Sequence, residues 1–110
     1  MTILIPDSTS PQARALAALG HDARLATFRL LVRAGEGGLN VGQIGAHLGV
    51  PASTLAHHLG ALVDAGLVTQ ERVGREVVNR ADFAAMGALT AFLTAECCAG
   101  LPAMTEAKLA

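Results

Sequence analysis

At 110 residues and 11.2 kDa the chain has room for one domain, and 52% hydrophobic residues with a mean hydropathy of +0.46 are more than so small a core needs, which points to apolar surface buried on a second subunit. A formal charge of −1 excludes a uniformly basic nucleic-acid binder, so any such binding has to come from how the charges are distributed. Charged residues or glycine interrupt every apolar stretch before the roughly 18 residues of a membrane span, and "MTILIPDSTS" lacks a basic start followed by a long apolar run, so the expectation is a cytoplasmic chain with no membrane partner.

Residues 1–11 read as a flexible arm with prolines at 6 and 11. A short helix is expected over Gln12 to Leu19, with Ser10 as N-cap, Pro11 at the first helical position and Gly20 as its stop. From Asp22 to Ala34 a second helix places Leu25, Phe28, Leu31 and Val32 on one stripe, with Arg24, Arg29 and Arg33 largely off it; "GEGG" ends it.

Residues 40–66 carry most of the information. Asn40 and Gln43 have capping-box spacing, and Val41, Ile44 and Leu48 form a narrow apolar face over two turns. Gly49-Val50-Pro51 then breaks the helix, and the pattern resumes with Leu55, Leu59, Leu62 and Val63 until Gly66 ends it as the C′ residue. Gly45 is small enough to let the two short helices cross closely, and the unit reads as a helix-turn-helix. Residues 67–80, "LVTQERVGREVVNR", hold two strand-compatible runs about Val73-Gly74-Arg75, a β-wing with arginines at its tip. A last helix over residues 82–98, opened by Asp82, aligns Phe83, Met86, Leu89, Phe92 and Leu93; residues 99–110 are a tail. The fold class expected is mainly α with a small β-hairpin, a single winged helix-turn-helix domain spanning 1–110.

Ser53, Thr54, His57 and His58 would lie on the exposed face of the second helix of that unit, where hydroxyls and imidazoles can meet phosphates or base edges. His58 also lies between Leu55 and Leu62 and could equally serve helix packing. The face lacks Arg and Lys, so Arg72 and Arg75 of the wing would supply much of the affinity for double-stranded DNA, with Arg80 balanced between that role and a structural one. His21 and His47 read as ordinary surface or packing residues.

The only two cysteines are the neighbours Cys97 and Cys98. On an ideal helix adjacent side chains diverge by about 100°, so both cannot fill one apolar stripe, whereas a local unwinding before Gly100 and Pro102 would aim both sulfurs at one ion. Soft thiolates select soft ions. The other reading is two small buried hydrophobes. No nucleophile with a base at defensible spacing, phosphate-binding glycine loop or carboxylate pair stands out, so no enzyme is expected.

The element order, the segment "TLAHHLGALVDAGLV" and the wing "RVGREVV" resemble the ArsR/SmtB family of bacterial winged-helix repressors over nearly the whole chain. The resemblance implies a homodimer held by the first and last helices, bound to operator DNA until an inducer arrives. Two departures matter. The stretch Asn40-Val41-Gly42-Gln43 stands where arsenic- and cadmium-sensing members often carry Cys-x-Cys, and residues 82–98 lack the histidine a zinc site of that family would use. What remains, Cys97-Cys98, resembles the terminal Cys-Cys of another arsenic-sensing branch and implies As(III), Sb(III) or a trivalent organoarsenical as inducer, with no cofactor required. A three-thiolate site would need a third sulfur from a partner chain or a small thiol; a monosubstituted arsenical needs two. The alternatives are a redox or persulfide sensor of the same fold and a protein-interaction winged helix without a DNA target.

Overall fold

A computed structural model describes residues 10–102, so most of the expected arm (1–11) and much of the tail (99–110) lie outside the described residues. Helix α1, Pro11–Leu19, starts as its sequence dictates: Ser10 Oγ accepts the Ala13 N–H and proline occupies the first turn, where a missing N–H costs nothing. Helix α2, Asp22–Ala34, is capped by His21, whose Nδ1 accepts the Ala23 N–H at 3.2 Å. A single 3₁₀ turn, Gly35–Gly37, leads to α3, Val41–Leu48, which opens with both bonds of the capping box: Asn40 Oδ1 accepts the Gln43 N–H at 2.8 Å and Gln43 Oε1 the Asn40 N–H at 2.9 Å.

Helix α4, Ala52–Asp64, crosses α3 closely. A Cβ on Gly45 would lie 3.1 Å from the Val50 carbonyl oxygen and 3.5 Å from Leu55 Cδ1, so a larger side chain there would force the two helices apart. Beyond α4, the Gly66 N–H donates to the Val63 carbonyl and the Leu67 N–H to the Leu62 carbonyl, the paired bonds of a Schellman motif. Arg14 of α1 reaches the same helix end and donates to the Asp64 carbonyl at 3.0 Å, a cation where the helix dipole favours one.

Strands β1, Val68–Val73, and β2, Glu76–Ala81, form an antiparallel hairpin with Val73 opposite Glu76, leaving Gly74-Arg75 as a two-residue turn. Positive φ at Gly74 and not at Arg75 is the pattern of a type II′ turn. An isolated bridge from Leu39 to Asn79 adds a short third rung, which the sequence reading does not anticipate.

The core lies where α2, α3 and α4 meet the base of the wing. Leu31, Ile44, Leu55, Leu59, Leu62 and Leu67 are essentially solvent-free, with Phe28, Val68 and Ala81 around them. Each such large side chain contributes roughly 1.5–3 kcal/mol of burial.

The last helix departs from expectation. Helix α5, Phe83–Thr94, is capped by Asp82, whose Oδ1 accepts the Ala85 N–H, but it ends four residues before the predicted Cys98. Phe83 and Met86 pack against the core and Leu89 is buried, whereas Phe92 and Leu93 are 55% and 57% exposed and every residue from Thr90 to Pro102 is exposed. The helix outruns the surface it packs on, and tertiary contact is what sustains a helix this short. Leu16 of α1 and Leu25 of α2, the latter expected on the buried stripe, are 42% and 40% exposed beside it. These helices rim an apolar groove of about 770 Å³ lined by residues that include Phe28, Met86, Leu89 and Leu93.

Candidate nucleic-acid interface and cysteine pair

The N-terminal half of α4 presents Ser53, Thr54 and His57, all exposed and, at spacings of three and four, on one side of the helix. Pro51 precedes the helix with no side-chain cap bond, so the first-turn N–H groups stay open beside the two hydroxyls, an arrangement suited to a phosphate oxygen.

His58 is a correction to the expected DNA-facing set. It is 7% exposed, with its ring 4.9 Å from His21 and 5.9 Å from His57, and its Nδ1 is buried without a partner. Its packing role between Leu55 and Leu62 prevails because the face that carries those leucines is pressed against α2. Burial holds its pKa below the ordinary 6.5, and the charges of His21, Arg24 and His57 add to that in decreasing order. His21 is likewise more than a surface residue: it caps α2 and walls in His58.

Arg72 and Arg75 are exposed toward the tip of the hairpin, and neither has a side-chain hydrogen bond or ion pair among the described residues. Arg80 is committed elsewhere. Its guanidinium donates from Nε to the Glu36 carbonyl and from a terminal nitrogen to Glu71 Oε1, both at 2.7 Å, which resolves its balance toward a structural role at the wing base.

Cys97 and Cys98 lie in the turn that follows α5. The chain tightens there: the Cys97 N–H donates to the Thr94 carbonyl, the Ala99 N–H to the Glu96 carbonyl, and Cys98 takes a left-handed φ of 60°. That twist removes the divergence an ideal helix would impose, and the two sulfurs stand 3.6 Å apart, both exposed. Within the single chain neither cysteine is buried. At the 2.3 Å of a zinc–thiolate bond, sulfurs so spaced subtend about 100° at a shared ion, an angle open to tetrahedral or pyramidal coordination. Among the described residues no group of three or more His, Cys, Asp or Glu side chains is placed to hold a metal ion, so this chain offers two sulfurs and no completed third position.

Sequence reading missed Asn79, a wholly buried polar residue on β2. The signal was available in the period-two alternation that puts residues 77, 79 and 81 on one face, since an asparagine at an inward position requires hydrogen-bond partners.

Comparison with known proteins places this geometry. A helix-turn-helix domain family matches residues 19–71. The solved transcriptional repressor BigR from Xylella fastidiosa is 30% identical, with a TM-score of 0.59 over 78% of this chain and 86% of that one. An ArsR-like transcriptional regulator from Rhodococcus sp. RHA1 is 29% identical, with a TM-score of 0.69 over 77% of each chain. The chain belongs to the ArsR family of transcriptional regulators. A homodimeric winged helix-turn-helix DNA-binding domain from Mycobacterium bovis, described as a possible ArsR-family transcriptional regulator, is 28% identical with a TM-score of 0.62 over 86% of this chain and 88% of that one. Among curated proteins none matches significantly. As an ArsR-family member this chain is a DNA-binding transcriptional regulator and not an enzyme, and no helix among the described residues is long and apolar enough to cross a membrane.

Proposed function

We propose that the chain is a homodimeric repressor released from its operator when a trivalent arsenic or antimony species bridges Cys97 and Cys98. The observation that carries this reading is the pair of exposed sulfurs 3.6 Å apart, presented by a tight turn in which Cys98 takes a backbone conformation that costs a non-glycine residue roughly 1–2 kcal/mol. Soft thiolates favour a thiophilic ion over a hard cation, and two sulfurs satisfy a monosubstituted arsenical, which already carries one carbon. Inorganic arsenite or antimonite would draw a third ligand from the partner chain or from a small thiol.

Support for the dimer comes from the homodimeric relative and from the apolar groove with Leu16, Leu25 and Leu93 exposed about it. Each subunit would then offer Ser53, Thr54 and His57 to one half-site, with Arg72 and Arg75 on the flanking backbone. Ligation fixes one geometry at the end of α5. If α5 pairs across the dimer, that geometry sets the spacing of the two α4 helices, and release follows to the extent that the ion binds the free form more tightly than the operator-bound form.

The test is a titration of the dimer, bound to a duplex from upstream of its own gene, with arsenite, antimonite and a monosubstituted trivalent arsenical. Release by at least one of these in the native chain, and by none in Cys97→Ser/Cys98→Ser, is the expected result. Equal release in both proteins, or none in the native one, overturns the assignment. Because the two sulfurs are already in contact, a parallel treatment with a persulfide donor checks the sulfur-responsive alternative by mass.

A further inference from the structure

The wing is fastened to the helix-turn-helix by more than its connection to α4. Asn79 and Leu39 exchange both backbone bonds, at 3.0 and 2.8 Å, and Asn79 Nδ2 adds a third bond to the Leu39 carbonyl at 3.1 Å. Asn79 Oδ1 accepts from Gln70 Nε2 at 2.8 Å, so the wholly buried amide joins both strands of the wing to the residue two before α3. One position further, Arg80 Nε holds the Glu36 carbonyl and a terminal nitrogen holds Glu71, while Asn40 Nδ2 donates to Glu76. The approach leaves no slack: a Cβ at Gly38 would sit 2.5 Å from the Asn79 carbonyl oxygen and 2.7 Å from Arg80 Cγ.

An apolar side chain at 79 could fill the same volume. What the amide adds is direction, because a buried hydrogen-bond set is satisfied in one orientation only. Direction matters at the end of a lever. Four residues of strand separate Asn79 from Arg75, about 13 Å at a strand's rise, so a swing of about 15° at the base moves the tip by about 3 Å, well outside the range of a hydrogen bond.

We infer that Asn79 and Arg80 are positioning residues that set the angle of the wing against α3 and α4, so that Arg72 and Arg75 reach the same DNA backbone as the recognition helix. The inference rests on the proposed contact of those arginines with DNA. Neither positioning residue touches DNA in this account; each acts through the tip.

The experiment is a mutant cycle on the full-length dimer, reading operator Kd against salt concentration for the native chain, Asn79→Leu, Arg80→Met, Arg72→Ala/Arg75→Ala, and each single change combined with the arginine pair. The arginine pair should lower the log–log salt slope by up to about 0.9 for each of about four phosphate contacts. Asn79→Leu should weaken binding by about 2- to 30-fold, the range for substitutions that act at a distance, and lower the slope toward that of the arginine pair. In the background lacking the tip arginines, Asn79→Leu and Arg80→Met should have almost no further effect on Kd or slope. A direct phosphate contact by Arg80, or general loss of fold, would instead add to the pair's effect and overturn the inference. Should Asn79→Leu not yield a folded dimer by circular dichroism and sizing, Arg80→Met decides: a native slope in it, with a lowered slope in the arginine pair, refutes the positioning role. An unchanged slope in the arginine pair itself refutes wing contact, and the positioning role with it.

Discussion

Helix α4 and the end of α5 are built from similarly apolar sequence and end up in opposite conditions. In α4, Leu55, Leu59 and Leu62 are sealed against α2 and α3, and the helix end is closed by a Schellman motif and by Arg14. In α5, burial stops at Leu89, the helix stops at Thr94, and Phe92, Leu93 and both cysteines face solvent. Apolar spacing therefore tells which side of a helix can be buried and not how far along it a partner exists. The first region presents its polar residues on a rigid frame. The second leaves its cysteines exposed at the end of a helix, where under the proposed function a ligand would act on the backbone.

That contrast can be broken most sharply at the cysteines. Cys97→Ser/Cys98→Ser should abolish metalloid-driven release while leaving the melting temperature and operator Kd near native values, because an exposed hydroxyl costs little to solvate and is a poor ligand for a soft ion. A large loss of stability in that variant would mean that the sulfurs are buried in the assembled dimer and that the two regions are less different than the single chain indicates. In α4 the opposite is expected. Leu59→Ala should cost about 2–5 kcal/mol in urea unfolding through the lost burial and the cavity left behind, while the matching truncation at the exposed Leu93 should cost the isolated fold far less. A comparable loss at Leu93 that grows with protein concentration would locate that side chain in the dimer interface.

Smaller effects sharpen the rigid half. Asn40→Ala removes the cap of α3 and one bond to the wing, and should destabilise by about 1 kcal/mol, read as a shift of several degrees in the melting temperature. His58 gives the chain a pH dependence of calculable sign. Its folded pKa lies below 6.5, so the unfolded chain takes up a proton first; stability is fully present above about 6.5, falls as pH drops below it, and levels off once the folded imidazole is itself protonated. His58→Leu should flatten that decline in urea-unfolding free energy between neutral and mildly acidic pH. An equally steep decline in the variant would shift its origin away from His58.

Much of the fold was written locally. Ser10 with Pro11, Asn40 with Gln43, and Asp82 start their helices as their spacing predicts, because a cap needs only the next turn of backbone to act. Gly74-Arg75 sets the hairpin turn in the same way, and the crossing of α3 and α4 was legible in the absence of a side chain at Gly45. The proposed site was legible in part. Exposed Ser53, Thr54, His57, Arg72 and Arg75 follow from helical phase and from position at a turn, and the cysteine doublet is visible on inspection.

Other features depended on what each segment meets in three dimensions. Phase alone left His58 between two roles, and the surface of α2 turned it inward. Arg80 reads like its neighbours until Glu36, distant in sequence, supplies a carbonyl for it, and Asn79 has no visible purpose until Leu39 comes alongside. Cys97 and Cys98 would diverge on an ideal helix; a break before Gly100 and Pro102 is expected from the sequence, but that α5 already ends at Thr94 depends on how far it has a packing partner. Propensity, capping and turn chemistry act within a few residues and so can be read from sequence. Burial, long-range hydrogen bonds and the length of a helix's supporting surface are set by contacts between distant segments, and only the tertiary structure decides them.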